Sequence, residues 1–253
     1  MPRLSPVAEG ENQMAKISPQ KILTILQQGQ VELRGRFGLG SNATFLVSVS
    51  HAGSLLPAVY KPMRGEQPLW DFPPASLAGR EVAAYLVSQA LGFDFVPPTV
   101  LCDGPYGPGS LQLYIDHNPN LHYFSFSPAD CQRLRPVALF DLLINNADRK
   151  GSHILLQKRT RRLYLIDHGL CFHLEDKLRT VLWDFAGEPI PPELMTALGA
   201  LRESLPGGLS SRLGEYLLPE EVTALAFRLR ALVATGSFPL PPPDRRAWPF
   251  PPL

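Results

Sequence analysis

The amino-acid sequence predicts an α+β protein with a β-rich first lobe and a helical second lobe. Short segments of alternating or continuous apolar residues dominate the first half of the chain, whereas apolar residues recur at helical spacing in the second half. The chain has 253 residues, of which 45% are hydrophobic, so it is long and apolar enough to bury a core. A strand-rich half followed by a helix-rich half is typical of two lobes with a ligand cleft between them.

The first lobe is predicted to start with a helix and to continue as an antiparallel meander. Ser18 and Pro19 supply an N-cap and a proline at the first helical position. The strands of the meander are expected at 31–37, 43–50 and 55–61, where the residues are mainly apolar or alternate with polar ones. Ser76 then begins a helix that Gly92 ends. Two further strands are expected at 99–102 and 111–115.

The second lobe is predicted to be mainly helical. Ser127 and Pro128 begin a helix with an apolar side that extends to Ile144. A short hairpin is expected at 153–156 and 163–166, and helices near 192–205, 208–216 and 219–234. The final segment is rich in proline, which cannot continue a helix, so we expect it to run extended over the surface. The predicted domains are a flexible N-terminus at 1–17, an N-lobe at 18–115, a C-lobe at 116–235 and a proline-rich tail at 236–253.

Composition and charge argue against several classes of protein. Lys and Arg total 24 against 23 Asp and Glu, so the net charge of +1 predicts no nucleic-acid partner. No apolar run reaches the ~18 residues of a membrane helix, and residues 1–16 have no signal-peptide core. Three widely spaced cysteines without a Cys-x-x-Cys motif predict a reducing, cytoplasmic location.

A glycine-rich segment at 35–44 lies between two predicted strands. Closely spaced glycines let backbone N–H groups approach phosphate oxygens, so Gly38, Gly40, Ser41 and Asn42 are candidate nucleotide contacts. No Lys-Ser/Thr pair and no helix follows, so this is not a Walker A loop. An ordinary hairpin turn is the alternative interpretation.

Lys61 and Glu81 form a candidate phosphate-binding pair. Lys61 ends the third predicted strand, and Glu81 lies twenty residues later on the helix inserted after that strand. Kinase-like folds use a lysine held by a helical glutamate to bind the α- and β-phosphates of ATP. The alternatives are a solvated lysine and a glutamate that pairs with its neighbour Arg80.

The segment 145–156 has the features of a catalytic loop. Phosphoryl transfer needs a carboxylate that orients the attacking hydroxyl and accepts its proton, and Asp148 fits that role. Arg149 and Lys150 are the nearby cations that could stabilise charge on the transferred group. His153 occupies the position five residues after Asp148 at which such loops carry a metal ligand. A capped helix end with a solvated Asp-Arg pair is the alternative.

Asp167 is the candidate Mg²⁺ ligand. It follows the apolar strand expected at 163–166 and begins an Asp-x-Gly turn, so its carboxylate lies at the end of a buried strand. Its position 19 residues after Asp148, across one hairpin, makes the joint pattern more informative than either motif.

Several motifs together resemble a bacterial family related to phosphatidylinositol 3-/4-kinases, over roughly residues 18–235. The motifs are Ala-Val-Tyr-Lys-Pro at 58–62, Arg-Glu-Val-Ala-Ala-Tyr at 80–85, Val-Pro-Pro-Thr at 96–99, Asn-Ala-Asp-Arg-Lys-Gly at 146–151, Ile-Asp-His-Gly-Leu-Cys-Phe at 166–172 and Lys-Leu-Arg-Thr-Val-Leu-Trp-Asp-Phe at 177–185. The resemblance implies an atypical protein-kinase-like fold with ATP bound between a β-rich N-lobe and a helical C-lobe.

The resemblance also implies roles for single residues. Lys61 would bind phosphate with Glu81 as its partner, Asp148 would be the catalytic aspartate, and Asp167 the metal-binding one. Gln112 and Tyr114 would lie on the hinge strand beside adenine. The chain departs from the lipid kinases at two positions, with His153 in place of an asparagine metal ligand and His168 in place of a phenylalanine. Imidazole prefers softer ions than Mg²⁺, so Mn²⁺ is an alternative metal.

These observations predict an ATP- and Mg²⁺-dependent phosphotransferase that acts on a hydroxyl of a protein or small molecule. His153 motivates a second hypothesis, a nucleotide-binding pseudokinase that works as a regulatory or scaffold module. Transfer of AMP in place of phosphate is a third hypothesis, since a kinase-like fold can host it if ATP binds in reverse.

Overall fold

In the computed structural model, which describes residues 17–38 and 42–253, the chain divides into two units. The first unit contains the described residues up to Ala78 together with Pro97–Tyr114. The second contains Gly79–Val96 and Ile115–Leu253. The first is built around a five-stranded antiparallel sheet and the second is mainly helical, which confirms the predicted α+β class. Residues 1–16 of the predicted flexible N-terminus lie outside the described part of the chain.

The first unit begins with helix α1, Pro19–Gln28. As predicted, Ser18 caps it, because its side chain accepts a hydrogen bond from the backbone N–H of Lys21 at 3.3 Å. Ile22, Ile25 and Leu26 are buried on one face of this helix, which packs on the sheet. Burial of this apolar face, more than the intrinsic propensity of ten residues, stabilises so short a helix.

The sheet has the strand order β1-β2-β3-β5-β4, and all neighbours are antiparallel. Its strands are β1 (Gln30–Arg36), β2 (Phe45–His51), β3 (Ser54–Pro62), β4 (Thr99–Gly104) and β5 (Gly107–Leu113). A two-residue turn, Ala52-Gly53, joins β2 to β3, and both residues have positive φ angles of 45° and 74°, as such hairpins require. Strand β5 begins at Gly107, four residues before the predicted start. The prediction missed this part of the strand because Gly107-Pro108-Gly109 has no apolar alternation.

The second unit consists of helices and one short hairpin. The helices are α2 (Leu77–Ala90, whose first two residues belong to the first unit), α3 (Pro128–Gln132), α4 (Arg135–Ile144), α5 (Pro192–Ser204), α6 (Ser210–Leu213) and α7 (Pro219–Thr235). The hairpin consists of β6 (Ile154–Leu156) and β7 (Leu163–Leu165). The single helix predicted after Ser127 is in fact α3 followed by α4. Pro136, which lacks an N–H, lies in the first turn of α4 and is compatible only with a helix start.

The segment Gly79–Val96 belongs to the second unit, although the sequence placed it in the N-lobe. The buried side chain of Arg80 explains this. Its guanidinium donates to the carbonyl of Cys171 at 2.6 Å and to the carboxylate of Glu221 at 2.5 Å. Since Arg80 and Glu221 are 1% and 4% exposed, loss of either partner would leave a buried charge without compensation.

The prediction that the proline-rich tail runs over the surface is wrong for part of its length. Phe238 and Ala247 are 3% and 1% exposed, respectively. The backbone N–H of Ile190 donates to the carbonyl of Gly236 at 2.8 Å, which ties the start of the tail to the segment before α5. The tail is free of helix, as expected, but it is packed as part of the second unit.

The three cysteines are free, and burial raises the pKa of each thiol. The pKa of Cys102 rises to about 11, with the nearby Asp103 carboxylate adding to the effect. Cys171 is buried and its pKa lies well above the usual range. Among the described residues, no helix is both long enough and apolar enough to cross a membrane.

Candidate active site

The predicted catalytic loop begins where helix α4 ends. Asn145 adopts the left-handed conformation, with φ 54° and ψ 54°. Its side-chain amide donates to the carbonyls of His173 and Glu175 at 3.0 and 2.6 Å, and its oxygen accepts from the N–H of Lys177 at 3.0 Å. Asn is one of the few residues that tolerate this conformation at low cost. The turn is therefore held by three hydrogen bonds to one neighbouring segment.

A fully buried ion pair lies behind the loop. Arg149 and Asp141 are both 0% exposed, and Nε of Arg149 lies 3.0 and 3.1 Å from the two carboxylate oxygens. Asp141 also accepts hydrogen bonds from Asn146 at 3.1 Å and from Thr180 at 3.2 Å. The guanidinium of Arg149 also donates, through Nη1, to the carbonyl of Ile166 at 3.0 Å. The pair thus links α4 to both loops that carry the candidate catalytic carboxylates.

This geometry corrects the role expected for Arg149. A side chain that is 0% exposed and directed at Asp141 does not present its charge to a transferred phosphate. We therefore reassign Arg149 from charge stabilisation to positioning of the loop. Asp141 is a residue that the sequence analysis missed. A single carboxylate within the apolar helix α4 was the available signal, since charged residues are rarely fully buried unless paired.

Asp148 has the environment of a carboxylate poised to accept a proton. Its carboxylate is 28% exposed and lies 3.3 Å from Nζ of Lys150. Its backbone N–H donates to the side chain of Asn146 at 3.0 Å. Burial raises the pKa of Asp148 above the ordinary value, the neighbouring Asp167 raises it further, and Lys150 and Arg179 lower it. The carboxylate is therefore more basic than that of an exposed aspartate.

Asp167 and His153 lie side by side. Nε2 of His153 is 3.4 Å from the Asp167 carboxylate, and the side chain of Asp167 is half exposed. The backbone bond from the N–H of Ile166 to the carbonyl of His153, at 3.1 Å, holds the two segments together. Asp167 itself has a φ of 64°, which is uncommon for a non-glycine residue. Such conformations concentrate at functional sites, where the surrounding structure maintains them.

His168 connects the Asp167 turn to Glu81 and to Arg149. Its ring is fully buried, and Nε2 lies 2.9 Å from Nη2 of Arg149. A guanidinium only donates, so Nε2 accepts and any ring proton lies on Nδ1, 3.6 Å from Glu81. Burial lowers the pKa of His168, Arg149 lowers it as well, and Glu81 opposes both. The imidazole is therefore neutral at pH 7.

Glu81 lies on helix α2 beside the turn at Asp167. Its carboxylate accepts a hydrogen bond from the backbone N–H of His168 at 3.0 Å and is almost fully buried. Arg80, the partner for Glu81 raised as an alternative from the sequence, forms a buried ion pair with Glu221. Five of the predicted site residues thus belong to the second unit and lie in neighbouring segments of it: Glu81, Asp148, Lys150, His153 and Asp167.

The remaining predicted site residues belong to the first unit. Lys61 lies on β3, opposite Ser110 of β5. A Cβ at Gly109 would collide with the carbonyl oxygen of Lys61 and with the neighbouring Pro62, so only glycine permits this close strand approach. Tyr114 follows β5, and its N–H donates to the carbonyl of Pro57 at 3.0 Å.

Gln112, predicted to lie on the hinge strand, belongs to β5 of the first unit. It is buried in the middle of the sheet, paired with Val59 on one side and Thr99 on the other. Its side-chain amide donates to Oγ of Thr99 at 2.8 Å. Its side chain thus takes part in the packing of the sheet, and its place beside adenine stays a prediction.

The glycine-rich segment is only partly described. Gly40 and Ser41 lie outside the described residues. Gly38 follows β1, and a bond from the N–H of Phe37 to the carbonyl of Thr44, at 2.9 Å, closes the base of the segment. The side chain of Asn42 accepts from the N–H of Gln67 at 2.8 Å. Nucleotide binding by these four residues stays a prediction.

The side chains of Asp167 and His153 could supply part of the coordination shell of a divalent metal, with substrate oxygens supplying the rest. Within residues 17–38 and 42–253, no three or more His, Cys, Asp or Glu side chains form a metal-binding group. Mg²⁺ usually takes one or two carboxylates and leaves its other positions to water and phosphate oxygens. Asp167 raises the pKa of Asp148, so negative charge accumulates here and a cation would relieve the repulsion. Asp167 and His153 therefore fit a metal of this kind.

Solved structures define the class of fold. The chain resembles the Golgi casein kinase with Mn/ADP bound, with a TM-score of 0.55 and 15% identity over 90% of this chain and 80% of that one. It also resembles the Helicobacter pylori proinflammatory kinase CtkA, with a TM-score of 0.54 and 12% identity over 84% and 94% of the two chains. The fold is therefore the two-lobed fold of atypical kinases, as the sequence predicted.

Sequence relatives then define the family. No protein-family model matches the chain. Protein Rv2133c of Mycobacterium tuberculosis is 40% identical over 261 aligned positions, which cover 89% of this chain and 94% of the relative. The chain belongs to the same family as Rv2133c. Phosphatidylinositol 4-kinase gamma 4 of Oryza sativa subsp. japonica is 32% identical over 143 positions, which cover 48% of this chain and 25% of that enzyme. The chain thus matches only a part of that plant protein.

Proposed function

We propose that this protein is an ATP-dependent phosphotransferase that transfers the γ-phosphate of ATP to a hydroxyl of a protein or small molecule. The single observation that carries the proposal is the pair Asp148 and Asp167, two carboxylates close enough that one raises the pKa of the other. A common buried network around Arg149 and Asp141 holds both. The kinase fold and the similarity to part of a plant phosphatidylinositol 4-kinase support this assignment.

Asp148 acts as the general base in this proposal. It orients the acceptor hydroxyl and takes its proton while the new bond forms between the acceptor oxygen and the γ-phosphorus. The bond between the γ-phosphorus and the oxygen that bridges to the β-phosphate breaks, and ADP leaves. The raised pKa of Asp148 favours proton acceptance, and Lys150 beside it keeps the resting carboxylate ionised.

Asp167 and His153 would hold Mg²⁺ or Mn²⁺. The ion would neutralise charge on the phosphate oxygens. An imidazole ligand shifts the preference of the site toward Mn²⁺, since nitrogen is a softer donor than oxygen. Lys61 of the first unit would bind phosphate, and Glu81 would maintain the Asp167 turn through the N–H of His168.

Replacement of Asp148 by Asn tests the proposal directly. Asp148→Asn keeps the size of the side chain and removes its basicity, so we expect turnover to fall by about 10²–10⁴-fold. Production of ADP and of phosphorylated protein from γ-labelled ATP, with Mg²⁺ or Mn²⁺, measures the effect. Asp103→Asn is the matched control, because Asp103 is exposed on β4 of the first unit. Full turnover in Asp148→Asn would contradict the proposed role.

His153 favours one second candidate, a nucleotide-binding regulatory module without transfer activity. The two proposals differ in a measurable way. Calorimetry that detects ATP binding, combined with an absence of ADP production under Mg²⁺ and Mn²⁺, would favour the module over the enzyme.

A further inference from the structure

We infer that the segment 247–252 of the proline-rich tail is a positioning element of the catalytic loop. This inference rests on the proposed function, since it assigns a role in the same reaction. It starts from three hydrogen bonds that the two ends of this segment accept. Ala247 accepts from the N–H of Thr180 at 3.1 Å and from the indole of Trp183 at 3.0 Å. Pro252 accepts from the N–H of Gly151 at 2.8 Å.

The end at Ala247 supports the loop through Thr180. Thr180 donates its hydroxyl to Asp141 at 3.2 Å, and Asp141 holds Arg149. The neighbours of Thr180 bond the backbone of Arg149 on both sides, because the N–H of Arg149 donates to Arg179 at 2.9 Å and the N–H of Val181 donates to Arg149 at 3.2 Å. A shift at Ala247 would thus be transmitted to the backbone next to Asp148.

The end at Pro252 contacts the loop directly. Gly151 is buried and lies between Lys150 and the turn that presents His153. Without this carbonyl, its N–H would be a buried donor that lacks an acceptor, which is unfavourable. On its other side Gly151 packs against the ring of Phe124, where a Cβ would approach to 2.9 Å. The loop is therefore fixed from two directions at the residue between the base and the metal ligand.

The composition of the segment suits a rigid connection. Three of its six residues are prolines, at positions 249, 251 and 252. Prolines restrict the unfolded chain, so less entropy is lost when the segment is ordered. Ala247 and Pro249 are buried, and the Trp248 ring lies 6.3 Å from that of Trp183. The segment has the contacts and the stiffness to hold Thr180 and Gly151 at a constant separation.

A pair of chains that differ by one residue tests the inference. A chain that ends after Pro251 lacks the oxygen to which Gly151 donates, whereas a chain that ends after Pro252 keeps an acceptor oxygen there, as its terminal carboxylate, and loses the exposed Leu253. We expect the shorter chain to lose about tenfold or more in kcat, with a smaller change in KM for ATP, because misplaced catalytic groups slow the chemical step. The longer chain should behave like the full one.

Amide hydrogen exchange supplies a readout that does not depend on activity. Exchange at Gly151 and its neighbours should accelerate by about tenfold or more in the shorter chain and stay unchanged in the longer one. Unchanged exchange in both chains would overturn the inference even if the phosphotransferase proposal held. Faster exchange without any ATP turnover in the full chain would support the positioning contact and count against the proposed function.

A larger deletion adds a test by complementation. A chain that ends after Arg246 should lose activity, and a synthetic peptide of residues 247–253 added in trans should restore part of kcat. A peptide with Trp248→Ala should restore less, because the ring contact with Trp183 is lost. Equal rescue by both peptides would contradict the role of that contact. If this deletion prevents folding, the one-residue pair still decides the question.

Discussion

At the scale of single residues, the candidate site depends on a buried charge pair that touches no substrate. Arg149→Met would leave Asp141 as an uncompensated buried carboxylate, and breaking such a pair costs about 3–5 kcal/mol. We expect this loss in the free energy of unfolding measured with urea. Arg34→Met is the control, because the pair Arg34–Glu32 is exposed and should matter little. A loss below about 1 kcal/mol in Arg149→Met would contradict the structural role.

Lys150 sets the acidic side of the pH dependence at the same scale. In the proposed mechanism transfer requires ionised Asp148, so turnover should fall as the pH drops through the raised pKa of this group. Lys150 lowers that pKa, and Lys150→Met should therefore move the acidic limb of the kcat profile to higher pH. The effect of Asp148 on the free energy of unfolding has the opposite sign to that of an aspartate with a lowered pKa, which stabilises the fold when it is ionised. Burial penalises the ionised form, so the stability cost of Asp148 declines as the pH falls through its raised folded-state pKa and is gone below the ordinary pKa of an aspartate.

The kcat profiles of the wild type and Lys150→Met, recorded from pH 4 to 8, would check this shift. Lys158→Met is a suitable control, because Lys158 pairs with Asp116 on the surface. An acidic limb that stays in place in Lys150→Met would show that a group other than Asp148 governs it.

At the scale of elements, the pairing of β3 with β5 positions Lys61. Gly109→Ala would force these strands apart at Lys61, since the new Cβ would overlap backbone atoms that cannot move cheaply. We expect a loss of about 2–4 kcal/mol in stability, or, if the sheet adjusts, at least a tenfold weaker binding of ATP. Gly199→Ala on α5 is the opposite case, because the new Cβ would meet nothing within 4 Å. Since alanine favours the helix more than glycine does, this substitution should raise the free energy of unfolding by about 0.5–1 kcal/mol. Denaturant unfolding and calorimetry with ATP measure both effects.

The same scale shows what the sequence could and could not predict. The cap at Ser18, the three-stranded meander and the hairpin β6–β7 follow local patterns, and the structure has them. Asp148 and Asp167 were predicted because each follows an apolar segment in a local motif, and their roles stay predictions. The partner of Arg149 was missed because Asp141 lies eight residues earlier on α4, and only the tertiary fold shows that the two are fully buried together. The buried bond from Gln112 to Thr99 was not predicted, because burial by sheet neighbours on both sides cannot be recognised from one strand.

At the scale of the whole molecule, the two units contribute different parts of the proposed chemistry. The second unit contains the candidate base, the candidate metal ligands and the tail segment that bonds Gly151. The first contributes Lys61 and the described part of the glycine-rich segment. The family shared with Rv2133c gives a second chain, matched over 94% of its length, on which each variant can be repeated.

The burial of the native thiols has a practical consequence for spectroscopy. A thiol with a pKa of about 11, like that of Cys102, is almost entirely protonated at neutral pH and reacts slowly with maleimides. Cys131 and Cys171 are shifted in the same direction. Two cysteines introduced at exposed positions, one in each unit, could therefore be labelled selectively with fluorophores. Energy transfer between the dyes would then report directly whether nucleotide alters the distance between the units.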